Sequence, residues 1–264
     1  MRVFVESVGI LAPGLAGWAA SRAVLAGTEP YRAAELSLPN LDVLPAVERR
    51  RTGLPVKLAI AVGQDALAGS VRSAAELATV FTSSGGDGEV IQEICLTLAG
   101  TDRQVSPTRF HNSVHNAPSG YWGIAMQSRA PSISLCAFDW SFAAGLIEAA
   151  AQASVAGDAV LMIAYDLPYP EPLRAVRPVS APFGAALLLT RDRDSRSIAA
   201  LELVVSRDRN RTSRHDDAGL ESLRRGNPCA RGLPLLAALA RQRPDEVVLE
   251  YVAGNALDVA VSPC

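Results

Sequence analysis

Six short, mostly apolar runs constrain this chain more than any other feature. They span residues 3–10 (VFVESVGI), 79–82 (TVFT), 132–136 (SISLC), 158–165 (DAVLMIAY), 183–190 (FGAALLLT) and 198–205 (IAALELVV). Each has strand length, and continuous apolar character marks strands buried on both faces. Helical spacing fills the gaps: residues 17–25, 56–68 (with Leu58, Ile60, Ala61, Ala66 and Leu67 in phase), 89–98 and 120–130. Helices alternating with such strands through the first 165 residues predict an α/β fold, a sheet covered by helices on both faces. The runs at residues 183–190 and 198–205 read as two adjacent strands.

Length and composition set the outer limits. With 264 residues, 49% of them hydrophobic, the chain can bury a sizeable core. A net charge of −2 argues against a broad nucleic-acid surface. No run approaches the roughly 20 apolar residues of a membrane span. The opening MRVFVESVGILAPG is interrupted by Glu6, so it reads as a first strand and not as a secretory signal. Cys95, Cys136, Cys229 and Cys264 have no paired spacing, which suggests free thiols in a reducing cytoplasm. The run Arg49-Arg50-Arg51 reads as a solvated segment between elements. Residues 167–178 form a proline-rich excursion. Residues 206–232 are polar and charged, and read as a loop. Beyond them come a helix at 233–241 and two short strands at 246–252 and 256–261.

Several motifs invite chemistry. FTSSGGDGEV joins a strand to a helix through glycines, but it lacks the lysine and spacing of a P-loop and lacks GxGxxG. A tight turn with close packing fits it better than a phosphate cradle. His111 and His115 stand four apart, but Asn, Ser and Pro around them favour a polar loop over 111–119, and no HExxH glutamate is present. No metal site is expected there. His215, the third histidine, falls in the charged segment and reads as solvated.

The stretch SISLCAFDWSFAAGLIEAA, residues 132–150, holds the most informative corner. A strand at 132–136 runs into a helix of small residues. A cysteine at a helix N-terminus gains acidity from the unpaired amides there. Here Cys136 lies earlier, at the end of the strand, where a thiol commonly serves as a small hydrophobe. Asp139 reads as the N-cap, its carboxylate accepting the free amides, and Trp140 as the first helical residue. Ser141 has no GxSxG elbow around it and no evident base. The alanines and Gly145 that follow allow other backbones to pack close, as in the central layer of a layered fold.

The order of these motifs resembles the N-terminal half of the β-ketoacyl synthases, condensing enzymes of the thiolase fold. NAPSGYWGIAMQSRAPSISL is similar to the family's helix and nucleophile strand, AGDAVLMIAYD to the strand after the nucleophile helix, and APFGAALLLT to its later glycine-containing strand. VKLAIAVGQDALAG, after Arg50-Arg51, resembles the family's early helix. The resemblance covers residues 1–205. It implies a thiolase-like layered fold with a complete N-terminal half and a curtailed C-terminal half. The expectation is one domain over residues 1–264, with a core of 1–205 and a shortened segment of 206–264.

The departures from the family are informative. Synthases carry a T-A-C-S/A-S nucleophile, and counting places that position at Asp139 or Trp140, not at Cys136. Synthases also need histidines and a lysine from the C-terminal half. After residue 190 this chain has only His215, and its one lysine is Lys57. The resemblance therefore implies a chain-length factor: a non-catalytic subunit, without a cofactor, that pairs with an active β-ketoacyl synthase as a heterodimer. It would help shape the acyl channel in polyketide or aryl-polyene biosynthesis and meet acyl carrier protein through the complex. Phe110, His111, His115, Asn116, Tyr121 and Trp122 become the candidates for channel and interface, with Trp140 near the channel floor. Two alternatives stay open. One is an active acyltransferase with Cys136 as nucleophile and His111 or His115 as base. The other is an unrelated α/β module that binds a small anion.

Overall fold

The computed structural model describes residues 1–157, 159–207 and 211–264. In chain order the elements are β1 (Arg2–Ala12), β2 (Leu15–Ala16), α1 (Trp18–Leu25), α2 (Ala46–Arg51), α3 (Leu54–Leu67) and β3 (Ala78–Thr82). Then follow α4 (Gly88–Ala99), α5 (Pro107–Asn112), α6 (Ala117–Met126), β4 (Ser132–Leu135), α7 (Ser141–Ala156) and β5 (Val160–Asp166). The last third holds α8 (Leu173–Val176), β6 (Phe183–Thr190), β7 (Ala199–Ser206), α9 (Ala218–Gly226), α10 (Leu233–Arg241), β8 (Asp245–Glu250) and β9 (Ala256–Pro263).

One sheet runs β4-β3-β5-β6-β1-β7-β9-β8, with β2 paired to β1. β3 is parallel to both β4 and β5, and the remaining pairs are antiparallel. Parallel neighbours need long crossovers, which α4–α6 and α7 supply. Alternate residues of β5 feed opposite cores. Leu161, Ile163 and Tyr165 pack with α3 and α6, whereas Val160, Met162 and Ala164 pack with α7 and α10. The expected α/β layering is therefore present. α7 owes its depth to small residues: a Cβ on Gly145 would come 2.6 Å from Thr82 Cγ2. In α10 every residue from Leu233 to Ala240 is buried. A helix apolar on all sides belongs inside a protein, so the last third of the chain closes the core that α7 begins.

Several expectations are corrected. β4 is not buried but is the sheet's open edge, with Ser132 and Ile133 exposed. It stops at Leu135, so Cys136 follows it and is exposed. β6 and β7 are not neighbours in the sheet, because β1 lies between them. His111 sits on α5, since Pro107 at its first turn starts a helix where a loop was expected. The arginine run is the last turn of α2, where Arg49 pairs with Asp42 and Arg51 with Glu48. The polar segment at 206–232 contains α9, capped by Asp217, and a 3₁₀ turn at Cys229–Gly232. Asp158, expected to open a strand, and residues 208–210 of the charged segment lie outside the described residues.

Candidate functional site

The carboxyl ends of β3, β4 and β5 converge on one region. β3 leads into the turn Ser83–Asp87, β4 into Cys136–Trp140, and β5 ends on Asp166. Asp166 is 3% exposed. Its Oδ1 accepts from Ser83 Oγ (3.0 Å), Ser84 N (2.8 Å) and Ser84 Oγ (2.9 Å). Burial outweighs these bonds and the neighbouring Cys229 thiol, and pushes the carboxyl pKa up. Asn227 ties in the last third of the chain. Its Nδ2 donates to the carbonyls of Asp166 and Ala181, and its Oδ1 accepts from the amides of Cys229 and Ala230. The Cys229 thiol is buried, and desolvation raises its pKa well above normal, which keeps it protonated and inert. The glycine turn serves packing, as expected. Tyr169 lies so close that a Cβ on Gly85 or Gly88 would come 2.0 or 2.4 Å from its atoms. Asp87 caps α4 by accepting from Val90 N at 3.1 Å.

Cys136 and His115 meet at this turn. Cys136 Sγ donates to Ser84 O at 3.3 Å, and His115 Nε2 lies 3.1 Å from Ser83 O. A carbonyl can only accept, so Nε2 is the donor there. Both side chains spend themselves on adjacent backbone carbonyls, and no hydrogen bond joins the two. His111 is elsewhere: its ring stands edge-on to Tyr121, 6.1 Å between centroids. Together with Phe110, Val114, Asn116 and Ile124 it lines a groove along α5 and α6. Trp122 is 1% exposed and packs against Phe81 in the core, so it does not face that groove. Tyr121 is nearly as buried, its hydroxyl donating to Asn112 Oδ1 at 3.0 Å.

The corner after β4 differs from its expected form. Asp139 does not cap α7. Its Oδ1 accepts from Arg177 at 2.8 Å and its Oδ2 from Arg231 at 3.0 Å. Two charge-assisted bonds outcompete neutral backbone amides for one carboxylate. Arg231 also pairs with Glu250. Glu250 in turn meets Arg224, which is held by Glu221. Arg224 draws the Glu221 pKa down to about 2. Trp140 closes a 3₁₀ turn, Phe138–Trp140, and α7 begins at Ser141. Ser141 is fully buried; its Oγ accepts from Ala137 N and donates to Phe138 O, so it cannot act as a nucleophile. Phe138 has φ +54° and stays 52% exposed, with the Arg177 guanidinium 3.7 Å over its ring. Sequence reasoning missed Arg177, Arg231 and Asp166, whose partners lie far away in the chain. His215 is half-buried before α9, where Nδ1 accepts from Asp217 N and burial lowers its pKa. Among the described residues no group of three or more His, Cys, Asp or Glu could hold a metal ion, and no helix is long and apolar enough to cross a membrane.

The profile of the β-ketoacyl synthase N-terminal domain matches residues 19–245, so the chain belongs to that family. The reading as an unrelated anion-binding module is thereby overturned. No curated protein sequence matches the chain. Among solved structures, it is similar to a chain of the complex of the ketosynthase ApeO with its chain length factor ApeC from Xenorhabdus doucetiae. That likeness has 22% identity and a TM-score of 0.75, over 98% of this chain and 99% of that one. It is also similar to a chain of AntDE:AntF, a type II PKS acyl-carrier protein in complex with its ketosynthase bound to the hexaketide (14%, TM-score 0.76, 100% and 99%). A third likeness is to the ishigamide ketosynthase/chain length factor (11%, TM-score 0.73, 99% of each chain). At these identities the likeness establishes the fold: thiolase-like and layered, with a full N-terminal half and a curtailed remainder.

Proposed function

We propose that the chain is a non-catalytic subunit like a chain-length factor, which pairs with an active β-ketoacyl synthase and helps shape its acyl channel. The observation that carries this reading is the corner after β4. Counting along the family's motifs puts its nucleophile at Asp139 or Trp140, and Asp139 is locked between Arg177 and Arg231. Cys136 stands before the corner, bonded to a carbonyl, and no base is bonded to it. The only lysine, Lys57, is on α3, remote in sequence from the C-terminal half that supplies the family's lysine.

The surface supports a paired subunit. The far edge of the sheet, β8, is covered by the chain itself: Ser213 N donates to Val248 O, and Val248 N to Ser213 Oγ. The β4 edge is left open. Phe110, Val114 and Ile124 are 68%, 50% and 45% exposed along the adjoining groove. Apolar side chains and an unpaired strand edge beside each other suit a permanent partner. The neighbours solved with a chain length factor or a carrier protein point the same way, with a ketosynthase as partner and carrier protein met through the complex. We place the complex in the cytoplasm, where its four thiols stay reduced.

Co-expression with a catalytic synthase from the same cell tests the reading. The expected result is a one-to-one complex that survives size exclusion and buries about 2,000 Å² or more, with condensing activity that the synthase lacks alone. A stable monomer indifferent to every such synthase would contradict it.

A further inference from the structure

We infer that the cavity between the end of α1 and the end of α10 is a binding site for a small zwitterion of the α-amino-acid class, with a carboxylate and an ammonium group on one frame. The inference stands apart from the paired-subunit reading. α10 packs on β8 and β9, at the opposite side of the sheet from the β4 edge.

The cavity measures about 550 Å³, within the size range of small-molecule sites. Its walls are residues 24–30 at the end of α1, residues 215–217 leading into α9, and Arg241 and Arg243 at the end of α10. Charges of both signs line it, and the fold already uses two of them. Asp217 Oδ1 caps α9, accepting from Gly219 N (2.8 Å) and Leu220 N (3.0 Å). Arg241 donates from Nε (3.1 Å) and Nη2 (2.7 Å) to Asp245 Oδ2. Arg243, Asp216 and Glu29 are left over: among the described residues none of them forms an ion pair. His215 adds a neutral donor. Its Nδ1 accepts from Asp217 N at 3.1 Å, so the ring proton sits on Nε2, and Nε2 is closed off from water without a partner. A buried N–H that lacks an acceptor is unfavourable, and a ligand's acceptor relieves it.

The pattern of donors and acceptors selects the ligand. A helix C-terminus carries about half a negative charge on its unpaired carbonyls, and α1 ends at this wall with Glu29 just beyond. The amides of Gly27, Thr28 and Glu29 are bonded back to the carbonyls of Val24 and Ala23, so this wall offers an anion no donor. An anion alone therefore faces carbonyls, Glu29 and Asp216. A cation alone faces Arg243 and the His215 N–H. A zwitterion answers both, its carboxylate meeting Arg243 and His215 and its ammonium meeting the α1 carbonyls and Glu29. Charge-assisted bonds of this kind are the strong ones. The lining is also set in advance: His215 N donates to Glu221 Oε2 at 3.0 Å, and Asp217 and Arg241 are fixed by the bonds above. Binding then requires little further ordering.

The test titrates the full chain with the L-α-amino acids one at a time, by calorimetry, with acetate and ethylammonium as single-charge controls. The expected result is that at least one amino acid binds with a Kd of about 1 mM or tighter, and that neither control binds as well. Arg243→Ala should weaken that ligand at least about tenfold. Arg243 has no ion-pair partner to lose, so the thermal midpoint of this variant should match that of the natural chain. Glu29→Gln removes the charge that faces the ammonium and should weaken the same ligand severalfold. The inference is overturned if no amino acid binds, or if either variant leaves the affinity unchanged. Acetate or ethylammonium binding as tightly as the amino acid would overturn it too, because the cavity would then be a site for a single ion. Whether the chain pairs with a synthase is a separate measurement, and its failure leaves this result standing.

Discussion

Asp139 illustrates how a local rule and a long-range one compete for the same carboxylate. Read along the chain, an aspartate before a helix is an N-cap. In space, Arg177 and Arg231, 38 and 92 residues away in sequence, reach it first. Nothing in the sequence around residue 139 announces either arginine, so the corner was legible but its wiring was not. The three side chains are only 19–26% exposed. Removing the carboxylate leaves two guanidinium groups facing each other beside the start of α7. Asp139→Ala should therefore cost about 1.5–3 kcal/mol, the usual range for hydrogen bonds to charged groups, read as a lower denaturation midpoint. A loss near zero would mean that the arginines find other partners. Asp166 makes a second prediction at this scale. Its carboxyl pKa is raised in the fold, chiefly by burial. The unfolded chain gives up that proton once the pH passes about 4, while the folded chain holds it. The stability contributed is thus complete at low pH and is lost as pH rises. The stability gap between the natural chain and Asp166→Asn should shrink from pH 5 to pH 8 in urea titrations. A gap that stays constant would mean that Asp166 is already ionised at pH 5.

At the scale of elements, apolar periodicity located most of the framework. β6 and α10 fall where the sequence places them, because both are apolar and end at sharp polar boundaries. α9 was hidden because it buries only Leu220, Leu223 and Arg224, and its charged face looks like a loop when read as composition. The status of β4 was illegible for another reason. A short apolar run does not reveal whether a neighbour lies on both sides of it, and this edge strand carries an exposed Ile133 where a buried one was expected. Its register has a consequence. The carbonyls of Pro131 and Leu135 accept from Thr79 N of β3 and from Ser83 N just after it. In a parallel ladder alternate residues face the same side, so the amides of Ser132 and Ser134 point away from the sheet. Ser134→Pro removes an outward donor and none of the chain's own bonds. It should leave the isolated fold intact by circular dichroism and reduce co-purification with the synthase at least about tenfold, a loss of about 1.4 kcal/mol. Undiminished co-purification would place the interface elsewhere.

Across the whole molecule, the last third of the chain closes the core. α10 is buried on every side, and the ion pairs from Glu221 to Asp139 tie that third to the corner after β4. The order of motifs made the family legible from the sequence, because strand-to-helix corners and glycine contacts are fixed by packing. The proposal of a non-catalytic subunit also starts from the sequence, in the count of histidines and lysines. What stayed hidden is the surroundings of Cys136: its thiol bonds Ser84 O, and His115 bonds the neighbouring carbonyl. The most direct measurement is condensation by the assembled complex, with Cys136→Ala in this chain and, separately, with the synthase's own nucleophile replaced. The account predicts undiminished turnover in the first case and none in the second. Loss of turnover with Cys136→Ala, or an acyl group trapped on Cys136 by mass spectrometry, would show that this chain is itself a catalyst.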